Sequence, residues 1–144
     1  MQRRTFLKGA CRICLLGAAT ASVAGMASSC SPAAGKALFK PDIRDNLVEI
    51  PLSLFEKQPL QVISPRQFPY EIAVMKENEN SYKALLLSCT HYENQLTATG
   101  NGYRCTAHGS RFDKEGKVLN GPAEDPLKQL KTTIGNNHLL IQIK

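Results

Sequence analysis

From Asn46 to Lys144 the chain alternates apolar and polar positions in short runs broken by Gly, Asn, Pro and Ser, and no stretch sustains a helical period over ten residues. The runs NLVEIPLSLF, LQVISP, EIAVMK and YKALLLS come first, and ENENS (Glu77–Ser81) predicts a hairpin turn between the last two. QLTAT and GYRC flank Gly100-Asn101-Gly102, a hairpin signal because glycine accepts positive φ. LKTTI and HLLIQIK flank Gly135-Asn136-Asn137, a further hairpin. Period-two runs joined by tight turns predict an antiparallel, all-β domain over residues 46–144.

Before residue 46 the pattern changes twice. Residues 1–29 carry Arg3, Arg4, Lys8 and Arg12, no acid, and an apolar Ile13–Ala27 rich in Ala and Gly, which reads as a targeting segment rather than part of the fold. The two adjacent arginines of QRRTFLKG, with Phe6, Leu7 and Lys8 behind them, match the twin-arginine export pattern. ASSC then resembles the lipobox of bacterial lipoproteins, so Cys30 is the expected lipidation site. The alternative is an uncleaved N-terminal anchor, although Ile13–Ser29 is weakly apolar and falls short of the roughly 20 residues that a spanning helix needs. Either route predicts an exported protein attached to a membrane and facing the periplasm or cell exterior. Residues 30–45 mix Pro, Gly, Ala and charge without an apolar period, and read as a tether reaching on the order of 50 Å.

Charge follows the same division. The net charge is +6, but the leader holds four of the 18 basic residues, which leaves 14 against 12 acids. Basicity is therefore largely a property of the leader, and no nucleic-acid partner is expected. The 115 residues behind the leader suffice for one small core. His138 reads as a surface residue of the closing strand, and KENENSYK (Lys76–Lys83) as a solvated turn.

Cysteine placement narrows the chemistry. Cys11 and Cys14 have the spacing of a redox or metal pair but lie in the leader, and Cys30 is spoken for. Cys89 and Cys105 remain. An exported protein can join two such cysteines as a disulfide, but that leaves unexplained why each has a histidine close behind it, His91 and His108. An extended backbone through Cys89-Thr90-His91 turns the cysteine and the histidine to one side. A tight turn through Cys105-Thr106-Ala107-His108 brings Cys105 to His108, with Gly109 letting the backbone bend. The hairpin at Gly100–Gly102 would lay the two loops side by side at one tip. Two sulfurs and two imidazoles also describe a tetrahedral zinc site, so the donor count alone leaves the metal open.

The wider stretch CTH…CTAHGSRFDKEGKVLNGPAEDPL, from Cys89 to Leu127, resembles the Rieske [2Fe–2S] family, whose motif is Cys-x-His, a spacer and Cys-x-x-His followed by Gly-Ser, an aromatic-Asp pair and a Gly-Pro-Ala segment. The resemblance implies a Rieske-type antiparallel β-sandwich with a small cluster-binding subdomain at its tip. It implies one [2Fe–2S] cluster per chain, with Cys89 and Cys105 holding the inner iron as thiolates and His91 and His108 holding the outer iron. Ser110 matches the family's serine, whose hydroxyl donates to a cluster sulfide. The sequence departs from the quinol-oxidising branch in three respects, at four positions. Asn94 and Ala107 stand where that branch has two cysteines joined as a disulfide, Phe112 replaces a tyrosine that donates to a ligand sulfur, and Tyr92 replaces a leucine that lines the quinol contact. One donor kept, one lost and no bridge imply a potential below that of respiratory quinol oxidases.

The expected function is a one-electron carrier, exported and membrane-tethered, passing electrons between membrane or quinol donors and an exported redox partner. No second cofactor motif or substrate pocket is legible, so no turnover by this protein alone is expected. The alternatives are a Rieske subunit of a quinol-oxidising cytochrome bc-like complex, a Rieske-fold binding module without an electron-transfer role, and a Cys₂His₂ structural zinc-binding module.

Overall fold

A computed structural model describes residues 38–144. The expected signal, the CRIC cysteines, Cys30 and the first part of the tether lie outside the described residues.

Eleven strands carry the fold: β1 (Ile43–Arg44), β2 (Leu47–Pro51), β3 (Leu60–Ile63), β4 (Ile72–Asn78), β5 (Ser81–Leu86), β6 (Thr97–Thr99), β7 (Gly102–Arg104), β8 (Arg111–Phe112), β9 (Val118–Asn120), β10 (Gln129–Gly135) and β11 (His138–Gln142). One 3₁₀ turn, Leu52–Phe55, interrupts them, and no α-helix occurs among the described residues. Seven strands form one antiparallel sheet in the order β1-β2-β11-β10-β5-β4-β3, and the other four a small sheet in the order β6-β7-β8-β9. The all-β expectation holds.

Each expected hairpin forms, with turn chemistry that differs in detail. β4 and β5 join through Glu79 and Asn80, where Asn80 N–H donates to Asn78 Oδ1 at 3.0 Å. Between β10 and β11 the left-handed positions are Asn136 (φ 50) and Asn137 (φ 61), while Gly135 stays in the strand, paired with His138. Asparagine tolerates that region because its short side chain bonds locally. In the β6–β7 turn only Gly102 takes a positive φ, and a Cβ there would run into the carbonyl oxygen of Phe112. Glycine at 102 is thus demanded by the approach of β8, not by the turn alone.

Strands β4 and β5 fix where the small sheet sits. Ile72 and Val74 point into one core with Ala84, Val48, Ile50 and Ile141, whereas Ala73 and Leu85, which pair across the strands, point into a second core. Both faces are covered, which explains the unbroken apolar runs IAVM and ALLL. The second core includes Leu87, Leu96, Phe112, Leu127 and the two cysteines Cys89 and Cys105. Each fully buried Leu or Phe contributes about 1.5–3 kcal/mol, so the cysteine loops rest on a firm apolar floor.

Ordered pairing begins earlier than the expected boundary at residue 46. Phe39 bridges Ile63, Ser64 N–H donates to Phe39 O at 2.9 Å and Arg66 N–H to Pro41 O at 2.9 Å. Apolar Phe39 and Ile43 pack against the first core, a burial too sparse to register as a period.

Candidate metal centre

The two cysteine loops leave the second core by a narrow neck. Leu96 N–H donates to Leu87 O at 2.9 Å and Ser88 bridges Gln95, so residues 89–94 form a closed loop. Within it Cys89 N–H donates to Asn94 O at 2.8 Å, and Glu93 N–H donates to Cys89 O at 2.7 Å. The second loop repeats the pattern at the same offsets. Cys105 N–H donates to Ser110 O at 2.8 Å, and Gly109 N–H to Cys105 O at 3.0 Å. The residue that closes each loop has positive φ, 48° at Glu93 and 85° at Gly109.

This corrects one expectation. Thr90-His91-Tyr92 is a turn, not an extended segment. Cys89 and Cys105 are buried, at 1% and 0% exposure, while His91 and His108 are exposed. The site is therefore layered, with sulfurs against the apolar core and imidazoles toward solvent.

Both cysteines are free thiols. Burial pushes the Cys105 thiol up, but backbone N–H bonds from His108 and Ala107, together with a hydrogen bond from the Cys89 thiol, outweigh it and hold the group below the ordinary thiol range. The imidazoles of His91 and His108 pair on the outer side, ring centroids 5.2 Å apart and planes 85° to each other. Tyr92, 70% exposed, sits edge-on to His91 at 4.7 Å and tilted to His108 at 5.8 Å.

A third segment, residues 121–126, holds the loops together, and only its Gly-Pro-Ala part was legible in the sequence. Ala123 N–H donates to the buried Ser110 Oγ at 3.0 Å, and Thr90 Oγ1 donates to Asp125 O at 2.7 Å. Asn120 Nδ2 donates to Gly121 O at 2.9 Å. Thr90 is thus a positioning residue that sequence reasoning missed, since a threonine between Cys and His carries no pattern of its own. Gln95 acts similarly, with the N–H of Glu71, the residue just before β4, donating to its Oε1 at 3.0 Å. Beneath the site, Tyr103 is buried, and its phenol is pushed up to about 12 by burial first and then by the carboxylates of Glu115 and Asp113.

The donor set fits a two-iron cluster. Two thiols lie together and two imidazoles lie together, as one iron held by sulfur and another by nitrogen would require.

The pattern of the Rieske [2Fe-2S] domain matches residues 53–131. The protein belongs to the Rieske [2Fe–2S] domain family. The match runs from the 3₁₀ turn into β10 and includes both cysteine loops of the Rieske domain.

The cytochrome b6-f complex iron-sulfur subunit 3 of Nostoc sp. strain PCC 7120 is 29% identical over 114 residues, covering 75% of this chain and 63% of that protein. Subunit 1 from Synechocystis sp. strain PCC 6803 is 29% identical over 75 residues, covering 51% of this chain and 42% of its own length. The iron-sulfur subunit of Chlorobaculum tepidum is 27% identical over 79 residues, covering 54% and 44%. The chain thus spans 42 to 63% of the length of these curated relatives. Among solved structures, the plasma membrane Rieske protein PetC3 from Synechocystis PCC 6803 aligns with a TM-score of 0.48 at 25% identity, covering 62% of this chain and 91% of that one. The complex of reduced oxygenase and oxidized ferredoxin in carbazole 1,9a-dioxygenase aligns with a TM-score of 0.47 at 17% identity, covering 69% and 94%.

Proposed function

We propose that this Rieske domain is a one-electron carrier, exported and tethered to a membrane, that passes electrons between membrane or quinol donors and an exported redox partner. It binds one cluster per chain, with Cys89 and Cys105 as thiolates on the inner iron and His91 and His108 as neutral imidazoles on the outer iron. The observation that carries this reading is the layering of the site, buried thiols beneath exposed, paired imidazoles. A bound cluster of this kind supplies a one-electron acceptor at about −150 to +300 mV.

The protein's own residues support each part of the task. Backbone N–H groups of Ala107 and His108 directed at the Cys105 sulfur favour the thiolate that iron needs. Leu87, Leu96 and Phe112 share a core with both cysteines and keep water from the sulfur side, while the exposed imidazoles offer the route in and out. Ser110 accepts from Ala123 N–H, a bond that does not consume its hydroxyl proton, which remains to be donated to a sulfide. Phe112 offers no donor, and Asn94 and Ala107 cannot cross-link the loops, so the potential is placed in the lower part of the family range.

Membrane attachment rests on residues 1–45, the twin-arginine pattern, Cys30 or an uncleaved anchor, and the tether. Export through a route that carries folded cargo agrees with a cofactor bound before transport. A second reading, a subunit of a quinol-oxidising cytochrome bc-like complex, is favoured by the names of the curated relatives, which are cytochrome b6-f iron-sulfur subunits. Tyr92 beside both imidazoles speaks against quinol docking there.

Elemental analysis joined to a redox titration separates the readings. The carrier reading expects about two iron and two acid-labile sulfide per chain and a potential in the lower half of the family span. A potential near its upper end points to the quinol-oxidising complex, and zinc without sulfide to the structural zinc module.

A further inference from the structure

The small sheet carries a charge arrangement that the cluster site does not use. Arg104 on β7 and Arg111 on β8 are register partners, so their side chains leave the same face with Cβ atoms about 5 Å apart. Like charges placed directly opposite are destabilising. Both arginines are exposed, and among the described residues neither joins an ion pair. Their row neighbours, Thr97 opposite Arg104 and Asn120 opposite Arg111, are uncharged and exposed. The nearby Asp113 carboxylate is occupied within its own turn, accepting Lys117 N–H at 2.8 Å. The alternate row, Tyr103 and Phe112, points inward and is buried.

An apolar residue accompanies the pair. Leu119 on the edge strand β9 is 65% exposed and lines one shallow groove with Thr99, Asn101, Arg104 and Arg111. Arginine is enriched at protein contacts relative to the rest of a protein surface, and Leu119 adds apolar area beside the pair. Position adds to this. Arg104 directly precedes Cys105 and Arg111 directly follows Ser110, so the two charges stand at the feet of the loop that carries Cys105 and His108.

We infer that this face of the small sheet, centred on Arg104 and Arg111 with Leu119 beside them, docks an acidic redox protein and brings it against the cysteine–histidine loops. The inference rests on the electron-carrier reading and names its partner by charge. Paired guanidinium groups recognise carboxylates through flat, two-pronged hydrogen bonds, and complementary charge speeds encounter and fixes orientation. The mutual repulsion of the pair is relieved when carboxylates lie between them, which accounts for an arrangement that is unfavourable in the isolated domain.

The test uses the full-length, cluster-loaded protein, with an acidic plant-type [2Fe–2S] ferredoxin as probe. Binding is measured by calorimetry at low and at physiological ionic strength. The Arg104→Gln/Arg111→Gln double variant is compared with Lys57→Gln/Lys131→Gln, which removes equal charge from exposed sites outside the small sheet. Wild type should bind at low salt and weaken about tenfold at physiological salt. The arginine variant should weaken about tenfold at low salt, and the lysine variant by less than about twofold. No binding by wild type, an unchanged arginine variant, or equal losses in both variants would overturn the inference. So would an arginine variant that keeps its affinity for ferredoxin but loses binding to phosphatidylglycerol vesicles, because the face would then serve anionic lipid. Visible absorbance of the same samples reports separately on the cluster, so a failed carrier reading is told apart from a failed docking surface.

Discussion

The Oγ of Ser110 accepts a 3.0 Å hydrogen bond from the backbone N–H of Ala123, tying the second cysteine loop to the Gly-Pro-Ala segment. The same oxygen has a proton to give, so one buried hydroxyl is both a structural acceptor and, on the proposed reading, a donor to the cluster.

Replacing Ser110 with Ala removes both roles. Losing a hydrogen bond to a charged group costs about 1.5–3 kcal/mol, which for one electron corresponds to a potential lowered by about 60–130 mV. The stranded Ala123 N–H should also lower thermal stability by several degrees. A redox titration and a melting curve check the two effects, and a drop in stability without a shift in potential would reduce Ser110 to a structural residue.

Thr90→Val keeps the shape of the side chain and deletes the 2.7 Å bond to Asp125 O. The expected loss is about 1 kcal/mol of stability, with faster bleaching of the visible chromophore because the first loop opens more often. The bleaching rate at elevated temperature measures it.

Tyr103 gives an alkaline signature. Its pKa of about 12 in the folded protein lies above the ordinary 10. Between those values the unfolded protein releases a proton that the folded protein keeps, so this contribution is intact below pH 10. It falls by about 1.4 kcal/mol per pH unit until pH 12. Urea midpoints at pH 9 and 11 should therefore diverge more in wild type than in Tyr103→Phe.

His108→Cys exchanges a neutral donor for an anion. If a cluster assembles, its potential should drop by on the order of 100 mV or more, toward the range of all-cysteine clusters. An unchanged or raised value in a redox titration counts against the ligand assignment.

Strands β2 to β5, β10 and β11 of the large sheet were legible because they alternate or run apolar beside turn residues, and Asn136-Asn137 and Glu79-Asn80 are recognisable turn chemistry, whereas β1 falls in the stretch that reads as tether. Strands β8 and β9 were not, since Arg111–Phe112 and Val118–Asn120 are too short to show a period. The four donors stood out through their spacing and the motif around them. Their layering was implied by the family resemblance, cysteines on the inner iron and histidines on the outer, but the backbone that produces it was not legible, because it depends on the turn at Thr90–Tyr92 and on Glu93 at φ 48, a left-handed position that glycine marks in the second loop but nothing marks in the first. The ties from Thr90 and Gln95 span 35 and 24 residues, and no local pattern reports contacts of that length.

The most direct measurement is low-temperature electron paramagnetic resonance of the dithionite-reduced protein, with nitrogen hyperfine analysis. The account predicts a reduced two-iron signal coupled to two imidazole nitrogens, with only one coupling left in the His108→Cys variant. Reduced protein without a paramagnetic iron signal, or a signal with no nitrogen coupling, would contradict it.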